Sequence, residues 1–391
     1  MNEKKALSKF QILLMAIAAG ASVANIYYNQ PILKEIASTF KVTENEAGTI
    51  SMLSQIGYGL GLFFISPLGD KINRKNLILT LLSLLFVTLL LMTMASNIHE
   101  VWVLSIFIGI LSVSVQVILP MAASLDSVNR GKTVGTIFSG ILIGILAARV
   151  FSGFVAEWLS WRYVYGFSAI LILIVTLLLK VYLPNVRNEF RGHYFQLLQS
   201  ALLQIKRFSL LRKASLTGGL LFGVFCSFWT TLTFHLSGPP FYYHADIIGL
   251  FGLVAIAGAL MAPVFGKLAD KGNANRSLLW AVSMIIFSLL LMKLMPNSIL
   301  ILVIAVLILD IGVQAMQVTN VAMIYTLDET SHSRINTIYM TSYFIGGALG
   351  TYVGLLCWKH GGWSLVLLQM LFWSILALGI ILKGKKQTAQ R

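Results

Sequence analysis

Residues 66–75 read Ser66-Pro67-Leu68-Gly69-Asp70-Lys71-Ile72-Asn73-Arg74-Lys75, and they follow directly on a long apolar run. A weaker copy, Gly266-Lys267-Leu268-Ala269-Asp270-Lys271-Gly272, occurs 200 residues later and is followed by Arg276. Each copy places an aspartate and then cations after apolar sequence. Such a charged turn is typical of the connection between two membrane-spanning helices, because charged side chains are costly inside a bilayer. Its recurrence half a chain later predicts a duplicated membrane protein.

The composition agrees with a chain that lies almost entirely in a membrane. Hydrophobic residues make up 57% of the 391 residues and charged residues only 11%, whereas a soluble domain carries about 25% charged residues. The mean hydropathy is +0.83. A spanning helix needs about 20 apolar residues. Twelve runs of this kind occur, near residues 10–33, 46–67, 76–95, 101–122, 133–157, 163–183, 214–237, 246–266, 277–295, 298–321, 335–357 and 363–382.

The net charge of +15 is distributed unevenly among the predicted loops. If the N-terminus lies inside, most of the 29 lysines and arginines fall in inside tails and loops. The exceptions are Lys34, Lys41, Arg162, Lys293 and Lys359 outside, and Arg149 within a span. This asymmetry is the positive-inside rule, and it predicts that both termini are cytoplasmic. We therefore expect anionic membrane lipids as the partner of the basic residues, and no nucleic acid.

The sequence gives no sign of a metal site, a cofactor or an enzyme. Cys226 and Cys357 both lie inside predicted spans, which argues against a disulfide or a metal site. No phosphate-binding glycine-rich loop occurs, so we expect that ATP is not the energy source. A membrane-bound enzyme would need a cluster of catalytic residues, and none is recognisable.

Pairs of sequence landmarks define two halves. Three landmarks recur at offsets of 200 to 202 residues: Asp70 with Asp270, Leu125-Asp126 with Leu327-Asp328, and Trp161-x-x-Val164 with Trp363-x-x-Val366. We expect an all-α fold of twelve transmembrane helices. Residues 1–183 form the N-terminal six-helix half, 184–213 a cytoplasmic linker and 214–391 the C-terminal half. In the linker, Phe195, Leu198, Leu202 and Ile205 recur at helical spacing and predict an amphipathic helix on the membrane surface.

Asp310 lies near the middle of the predicted tenth span. Gln314 and Gln317 follow at i+4 and i+7, so the three side chains share one helical face. A carboxyl group in a low-dielectric cavity can bind and release a proton near neutral pH, because its charged form is disfavoured there. We interpret Asp310 as the proton-coupling residue and the two glutamines as lining a substrate cavity. The alternative is an aspartate held in a structural hydrogen bond or ion pair.

Arg149 lies inside the predicted fifth span, where a charged group needs a compensating reason. Its guanidinium offers a planar fork of donors for a carboxylate or phosphate. One interpretation is an anchor for an anionic or polar substrate. The other is a counter-charge to Asp310, although a direct pair would have to span ~10 Å in depth.

Three further predicted spans carry polar or aromatic side chains at membrane depth. The first has Asn25, Tyr28 and Asn29 on one face, the fourth has Gln116, and the seventh has Trp229. Each alone is compatible with ordinary hydrogen bonding between packed helices. Their occurrence together with the carboxylate of the tenth span favours a polar central cavity.

The repeated charged turn resembles the loop between helices 2 and 3 of the major facilitator superfamily, and its weaker copy between helices 8 and 9. Four segments are similar to a branch of bacterial efflux-type permeases described as sugar or drug exporters: Ala24–Pro31, including Tyr27-Tyr28-Asn29-Gln30-Pro31, then Gly144–Arg149, Phe228–Thr231 and Arg334–Thr341. The chain departs from typical drug–proton antiporters of the superfamily where Ile145 follows Gly144 in place of a proline.

The resemblance implies specific roles for several residues. The family lines its cavity with helices 1, 4, 7 and 10, which are the four spans that carry the polar residues above. Asp70 and Arg74 would latch the cytoplasmic side in the outward-open state, with the aspartate facing the start of helix 11. Asp270 would be a milder second latch. The resemblance also implies two parallel six-helix halves related by an axis along the membrane normal.

Together these observations predict a secondary active transporter in the cytoplasmic (inner) membrane. We expect a monomer that exports a drug, sugar or metabolite in exchange for protons. A proton symporter or a uniporter for uptake is the alternative, and a uniporter would not need Asp310. A non-transporting receptor or scaffold would not need polar residues on four cavity helices.

Overall fold

The computed structural model describes residues 7–126, 129–185, 194–254, 274–328 and 331–388, and its secondary structure there consists of helices and turns. The helices before the linker are α1 (Lys9–Tyr27), α2 (Leu33–Phe40), α3 (Glu44–Phe64), α4 (Leu68–Lys71), α5 (Arg74–Met94), α6 (Ile98–Leu111), α7 (Val115–Leu125), α8 (Arg130–Trp158) and α9 (Trp161–Tyr182). The others are α10 (Tyr194–Arg207), α11 (Ser209–Ser237), α12 (Ala245–Val254), α13 (Ala274–Leu294), α14 (Ile299–Tyr325) and α15 (His332–Thr388).

Polar side chains at the helix starts fix where the membrane helices begin. Ser8 precedes α1 and forms a capping box with Gln11, and Thr43 does the same with Glu46 before α3. These reciprocal bonds satisfy backbone N–H groups that have no partner inside the helix. These caps therefore set the first residues of α1 and α3.

Ten helical segments among the described residues are long and apolar enough to cross a membrane. The predicted eleventh and twelfth spans form one of these ten, His332–Lys383, because helical hydrogen bonding runs through their junction. The backbone nevertheless breaks there, since Gly361 and Gly362 have non-helical dihedral angles and Gly362 has a φ of 55°. The predicted eighth span begins as α12, and its remainder lies outside the described residues.

The helices pack in two groups. In the first helix group (α1 to α9), α1 packs against α8 and α9, and α3 packs against α6. In the second helix group (α11 to α15), α11 packs against α15 and α14, and α13 packs against α14. The two groups meet where α3 lies against α15. They also meet at α8 and α12, where a Cβ atom at Gly249 would lie 2.6 Å from the Arg149 carbonyl oxygen.

Polar contacts join the two groups at one end of the molecule. We call this end the far face, and the end where α1 begins the terminus face. At the far face the Lys34 ammonium donates to the Ser237 carbonyl at 2.8 Å, and the Trp358 indole donates to the Glu44 carboxylate at 2.6 Å. His244 Nδ1 also lies 3.2 Å from Glu157 Oε1. These far-face contacts hold the groups together at that end.

Helix α10 lies within the segment predicted as a linker, at the terminus face. Leu198 and Ala201 are buried, whereas Phe195 and Leu202, which are neighbours of Leu198 on the same apolar face, are exposed. Arg207 pairs with Asp328 at 2.8 Å, and the Tyr194 hydroxyl donates to the Phe64 carbonyl. Helix α10 therefore contacts both the first and the second helix group.

Candidate functional site

Arg149 is the largest charged side chain in the interior, with 1% of its surface exposed. Its Nε donates to Gln30 Oε1 at 2.7 Å. The guanidinium carbon lies 4.0 Å from the centre of the Trp229 ring and 5.1 Å from that of Tyr27, with Phe225 at 5.9 Å. Such a position over aromatic faces stabilises a cation, most strongly over tryptophan.

Asp310 lies at the edge of the same indole. The residue is 2% exposed, and its Oδ1 accepts a hydrogen bond from Trp229 Nε1 at 3.4 Å. Trp229 therefore contacts the cation through its ring face and the carboxylate through its edge. Within the described residues the pairs at ion-pair distance do not include Arg149 with Asp310.

One atom of each charged group has no hydrogen-bond partner among the described residues. These atoms are Arg149 Nη2 and Asp310 Oδ2, both fully buried. Burying a charged group without full pairing is expensive, because the lost hydration is not replaced. Trp229 and Gln30 therefore compensate the two buried charges only in part, and one donor and one acceptor remain without a partner.

Local sequence explains how the cluster forms. Helix α1 ends at Tyr27, and a 3-10 turn over Gln30–Ile32 carries Gln30 towards α8. The Thr233 hydroxyl of α11 donates to the Gln30 carbonyl at 2.7 Å, which links the two helix groups beside Arg149. Gly252 of α12 lets the arginine stem pack closely, because a Cβ atom there would lie 2.9 Å from Arg149 Cβ.

Gln30 was not among the predicted cavity residues. Its position beside Pro31 within an apolar run could have identified Gln30 from the sequence, because a glutamine at membrane depth needs a hydrogen-bond partner.

Three predicted cavity residues near the end of α1 make contacts within the first helix group instead. Asn25 accepts from the Ser168 hydroxyl at 2.8 Å, and Asn29 accepts from the Ser51 hydroxyl at 2.5 Å. Tyr28 packs against Phe151 with ring centres 5.9 Å apart. The structure does not bring these three side chains to the Arg149–Trp229–Asp310 cluster.

The other predicted cavity residues are Gln116 and the two glutamines of α14. Gln116 Nε2 donates to the Tyr58 hydroxyl at 3.1 Å, and the Tyr58 ring lies 4.3 Å from that of Phe344 across the contact between α3 and α15. Gln314 and Gln317 are half-buried. They share the Asp310 face of α14, one and two turns closer to the terminus face.

The charged turn at the terminus face is tied together by its own side chains. Arg74 Nη2 pairs with Asp70 at 3.0 Å, and Arg74 Nε donates to the Gly69 carbonyl at 2.9 Å. Arg74 Nη1 lies 3.4 Å from the Ser124 hydroxyl of α7. The Asp70 side chain is 42% exposed. Asp270, the second predicted latch residue, lies outside the described residues.

No group of three or more histidine, cysteine, aspartate or glutamate side chains in the described part of the chain could hold a metal ion.

Comparison with known proteins identifies the family. The sequence profile of the Major Facilitator Superfamily matches residues 15–351, and again 250–390. The chain belongs to the Major Facilitator Superfamily. This membership agrees with the all-helical fold and the repeated charged turn, and it makes the protein a multi-pass membrane transporter with a small-molecule substrate.

The sequences of two bacterial relatives align with most of this chain. It is similar to the uncharacterized transporter YgaY of Escherichia coli O157:H7, with 39% identity over 92% of this chain and 91% of the relative. It is also similar to the probable transporter SCO4007 of Streptomyces coelicolor, with 26% identity over 92% of this chain and 84% of the relative.

A solved superfamily structure has the same fold. The crystal structure of a bacterial homologue of the human lysosomal transporter Spinster, in an inward-facing and occupied conformation, aligns with a TM-score of 0.77. The alignment covers 96% of both chains at 12% sequence identity.

Proposed function

We propose that this protein is a proton-coupled secondary transporter that exports a small molecule across the cytoplasmic membrane. The observation that carries the proposal is the buried Asp310 carboxylate with one unpartnered oxygen, next to Arg149. Ionisable groups within spans cost free energy and mark substrate or proton pathways in membrane proteins.

The charged cluster is split between the two helix groups. Arg149 and Gln30 come from the first group, whereas Trp229 and Asp310 come from the second. We take the groups as the two moving halves, residues 1–183 and 214–391, joined by the linker at 184–213. A relative rotation of the halves would separate Arg149 from Trp229 and open the cluster to one side. Alternating access around a fixed midplane site works in this way in such transporters.

The distribution of basic residues orients the molecule in the proposal. The terminus face carries the charged turn and α10, so by the positive-inside rule it is cytoplasmic. The far-face contacts then close the outer side, and the structure corresponds to a state closed to the exterior. Asp310 would release its proton towards the cytoplasm, and take up substrate from there, once the cluster opens on that side.

A screen in cells tests the proposal. Accumulation of metabolites and drugs would be compared in cells with and without the protein, and then repeated after the proton gradient is collapsed. Export predicts lower accumulation of the substrate with the protein present, and loss of that difference without the gradient. Higher accumulation would indicate uptake, and a difference that survives collapse of the gradient would indicate a uniporter.

A further inference from the structure

The two unpartnered atoms of the charged cluster have opposite charge. Arg149 Nη2 is a donor on a cation, and Asp310 Oδ2 is an acceptor on a carboxylate. Both residues are almost fully buried. A buried charged group left partly unsatisfied costs stability, so its retention indicates a ligand that completes it.

The surroundings of the two charges are aromatic. The guanidinium lies over the face of the Trp229 ring, the carboxylate accepts from the N–H at the edge of that ring, and Tyr27 and Phe225 flank the guanidinium. A ligand that reaches both free atoms must therefore carry an anionic end and a cationic end, with a flat or apolar body beside these rings. Aromatic side chains favour such a body through stacking.

We propose that the substrate is a zwitterion whose anionic end binds Arg149 and whose cationic end binds Asp310. This inference rests on the proposed export function, which it deepens by naming the class of substrate. An ω-amino acid with a ring or a short apolar chain has the required chemistry.

A ligand with a single charge completes only one of the two free atoms. A cation alone would leave Arg149 Nη2 without a partner, and an anion alone would leave Asp310 Oδ2 without one. A zwitterion completes both atoms and leaves the net charge of the site unchanged.

The same arrangement explains exchange with protons. The cationic end of the substrate and a proton both bind the Asp310 carboxylate, and they exclude one another there. Binding of substrate on one side of the membrane therefore releases the proton that bound on the other side. Mutual exclusion at one carboxylate is the requirement for antiport, since a ligand shifts an equilibrium only by its differential affinity.

Three compounds of one scaffold test the substrate class with the purified chain in detergent at neutral pH. They are 4-(aminomethyl)benzoate, benzylamine and benzoate, and each of the last two lacks one charged group of the first. Binding would be measured by thermal stabilisation, which follows affinity by mass action. We expect 4-(aminomethyl)benzoate to bind more tightly than either single-charge compound by roughly tenfold or more. Equal or tighter binding of benzylamine or benzoate overturns the proposal, as does no stabilisation by the zwitterion up to about 10 mM.

Neutral variants of each charged residue should change the ranking in opposite directions. Arg149→Gln should make benzylamine the preferred compound, and Asp310→Asn should make benzoate the preferred one. The controls are Arg162→Gln, whose guanidinium lies 4.4 Å from the Trp161 ring centre, and Asp126→Asn, whose two oxygens both accept hydrogen bonds. These controls should keep the wild-type ranking, and an unchanged ranking in the site variants contradicts the proposal. The binding assay contains no proton gradient. A failure of the predicted affinity ranking is therefore distinguishable from a failure of the proposed proton-driven export.

Discussion

At the scale of single residues, Trp229 makes two charged groups depend on each other without a direct ion pair. Its ring face stabilises the Arg149 cation, and its N–H donates to Asp310. Removal of either charge leaves the other with less compensation in an environment where water does not replace it. The two residues should therefore behave as one thermodynamic unit.

This coupling predicts non-additive stability losses. Arg149→Gln and Asp310→Asn should each lower the free energy of unfolding by about 1–3 kcal/mol, because each leaves the other buried charge with less compensation. The double variant should lose less than the sum, with a coupling of about 1 kcal/mol or more. Thermal unfolding of the four proteins in detergent measures it.

The matched control is a second cycle that combines Arg162→Gln with Asp310→Asn, because Arg162 also lies over a tryptophan ring but at the far face. The losses in the free energy of unfolding caused by these two substitutions should add to within about 0.5 kcal/mol, as expected for distant sites. Additive losses in the Arg149–Asp310 cycle would mean that Trp229 does not couple them.

The second residue-scale prediction concerns proton coupling. Asp310→Asn keeps the shape of the side chain but cannot release a proton, so proton-driven accumulation in proteoliposomes should be abolished. Exchange of labelled for unlabelled substrate, which moves no net proton, should persist at a reduced rate. Concentrative transport at the wild-type level by this variant would remove Asp310 from the mechanism.

The sequence identified the charged residues better than their polar neighbours. Arg149, Asp310 and Trp229 stand out because their chemistry is expensive or rare at membrane depth, and the structure brings them together. Asn25 and Asn29 also stand out, but each finds a serine on a neighbouring helix. Helical spacing tells which side chains share a face, and the identity of the helix opposite that face comes only from packing.

At the scale of helices, close contacts between small residues hold each group together. In the pair α1 and α8, a Cβ atom at Gly140 would lie 2.5 Å from the Ala16 carbonyl oxygen, and one at Gly144 would lie 2.3 Å from the Gly20 carbonyl oxygen. The two backbones therefore touch directly, which is how membrane helices gain packing energy. This contact fixes α8, and hence Arg149, relative to α1.

A single methyl group on this contact should be costly. Gly140→Ala forces the backbones apart and should destabilise the protein by about 1–3 kcal/mol, in the range of overpacked cores. Gly135→Ala on the same helix serves as the control, since a Cβ atom there meets nothing within 4 Å. It should be neutral or stabilising by up to about 1 kcal/mol. Thermal unfolding compares the two, and equal behaviour would contradict the packing argument.

Helix boundaries were predictable to within a turn where a polar cap marks them, as at Ser8 and Thr43. The position of the break within α15 was also predictable, because the apolar runs 335–357 and 363–382 leave residues 358–362 between them. The backbone departs from helical dihedral angles at Gly361 and Gly362, inside that gap. Composition does not predict that helical hydrogen bonding continues through the junction, since this depends on backbone angles that two glycines allow.

At the scale of the whole molecule, contacts at the two faces should favour opposite states. The far-face contacts join the helix groups at one end, whereas Asp70 and Arg74 at the terminus face would latch that side when it closes. In the present state Asp70 pairs with Arg74 and is partly exposed. The balance between the two sets of contacts would then decide which face is open.

Two substitutions should shift this balance in opposite directions. Trp358→Phe removes the donor to Glu44 but keeps an aromatic ring, so far-face-open molecules should increase by roughly tenfold, since a bond to a charged acceptor contributes about 1.5–3 kcal/mol. Asp70→Asn should favour the far-face-closed state by a smaller factor, because an exposed pair contributes about 0–1 kcal/mol. Distances between spin labels on Lys41→Cys and His360→Cys, with Cys226 and Cys357 replaced by serine, report the populations.

Trp102→Phe is the matched control for the first substitution. Its indole also donates at the far face, at 3.0 Å to the Glu46 carbonyl, but both residues belong to the first helix group. This variant should leave the populations unchanged. A shift as large as that of Trp358→Phe would assign the effect to general loosening of the far face.

Helices α8 and α11, which carry Arg149 and Trp229, each have 29 residues. At 1.5 Å per residue each is ~43 Å long, well above the ~30 Å of a bilayer's hydrocarbon core. Such helices fit only by tilting, by extending into the headgroups or by deforming the lipid around them. In the proposed cycle the rotation of the halves changes that tilt, so each state has its own preferred bilayer thickness. The elastic energy of the surrounding lipid then contributes to the balance between states, and the rate of transport belongs to the protein and its membrane together.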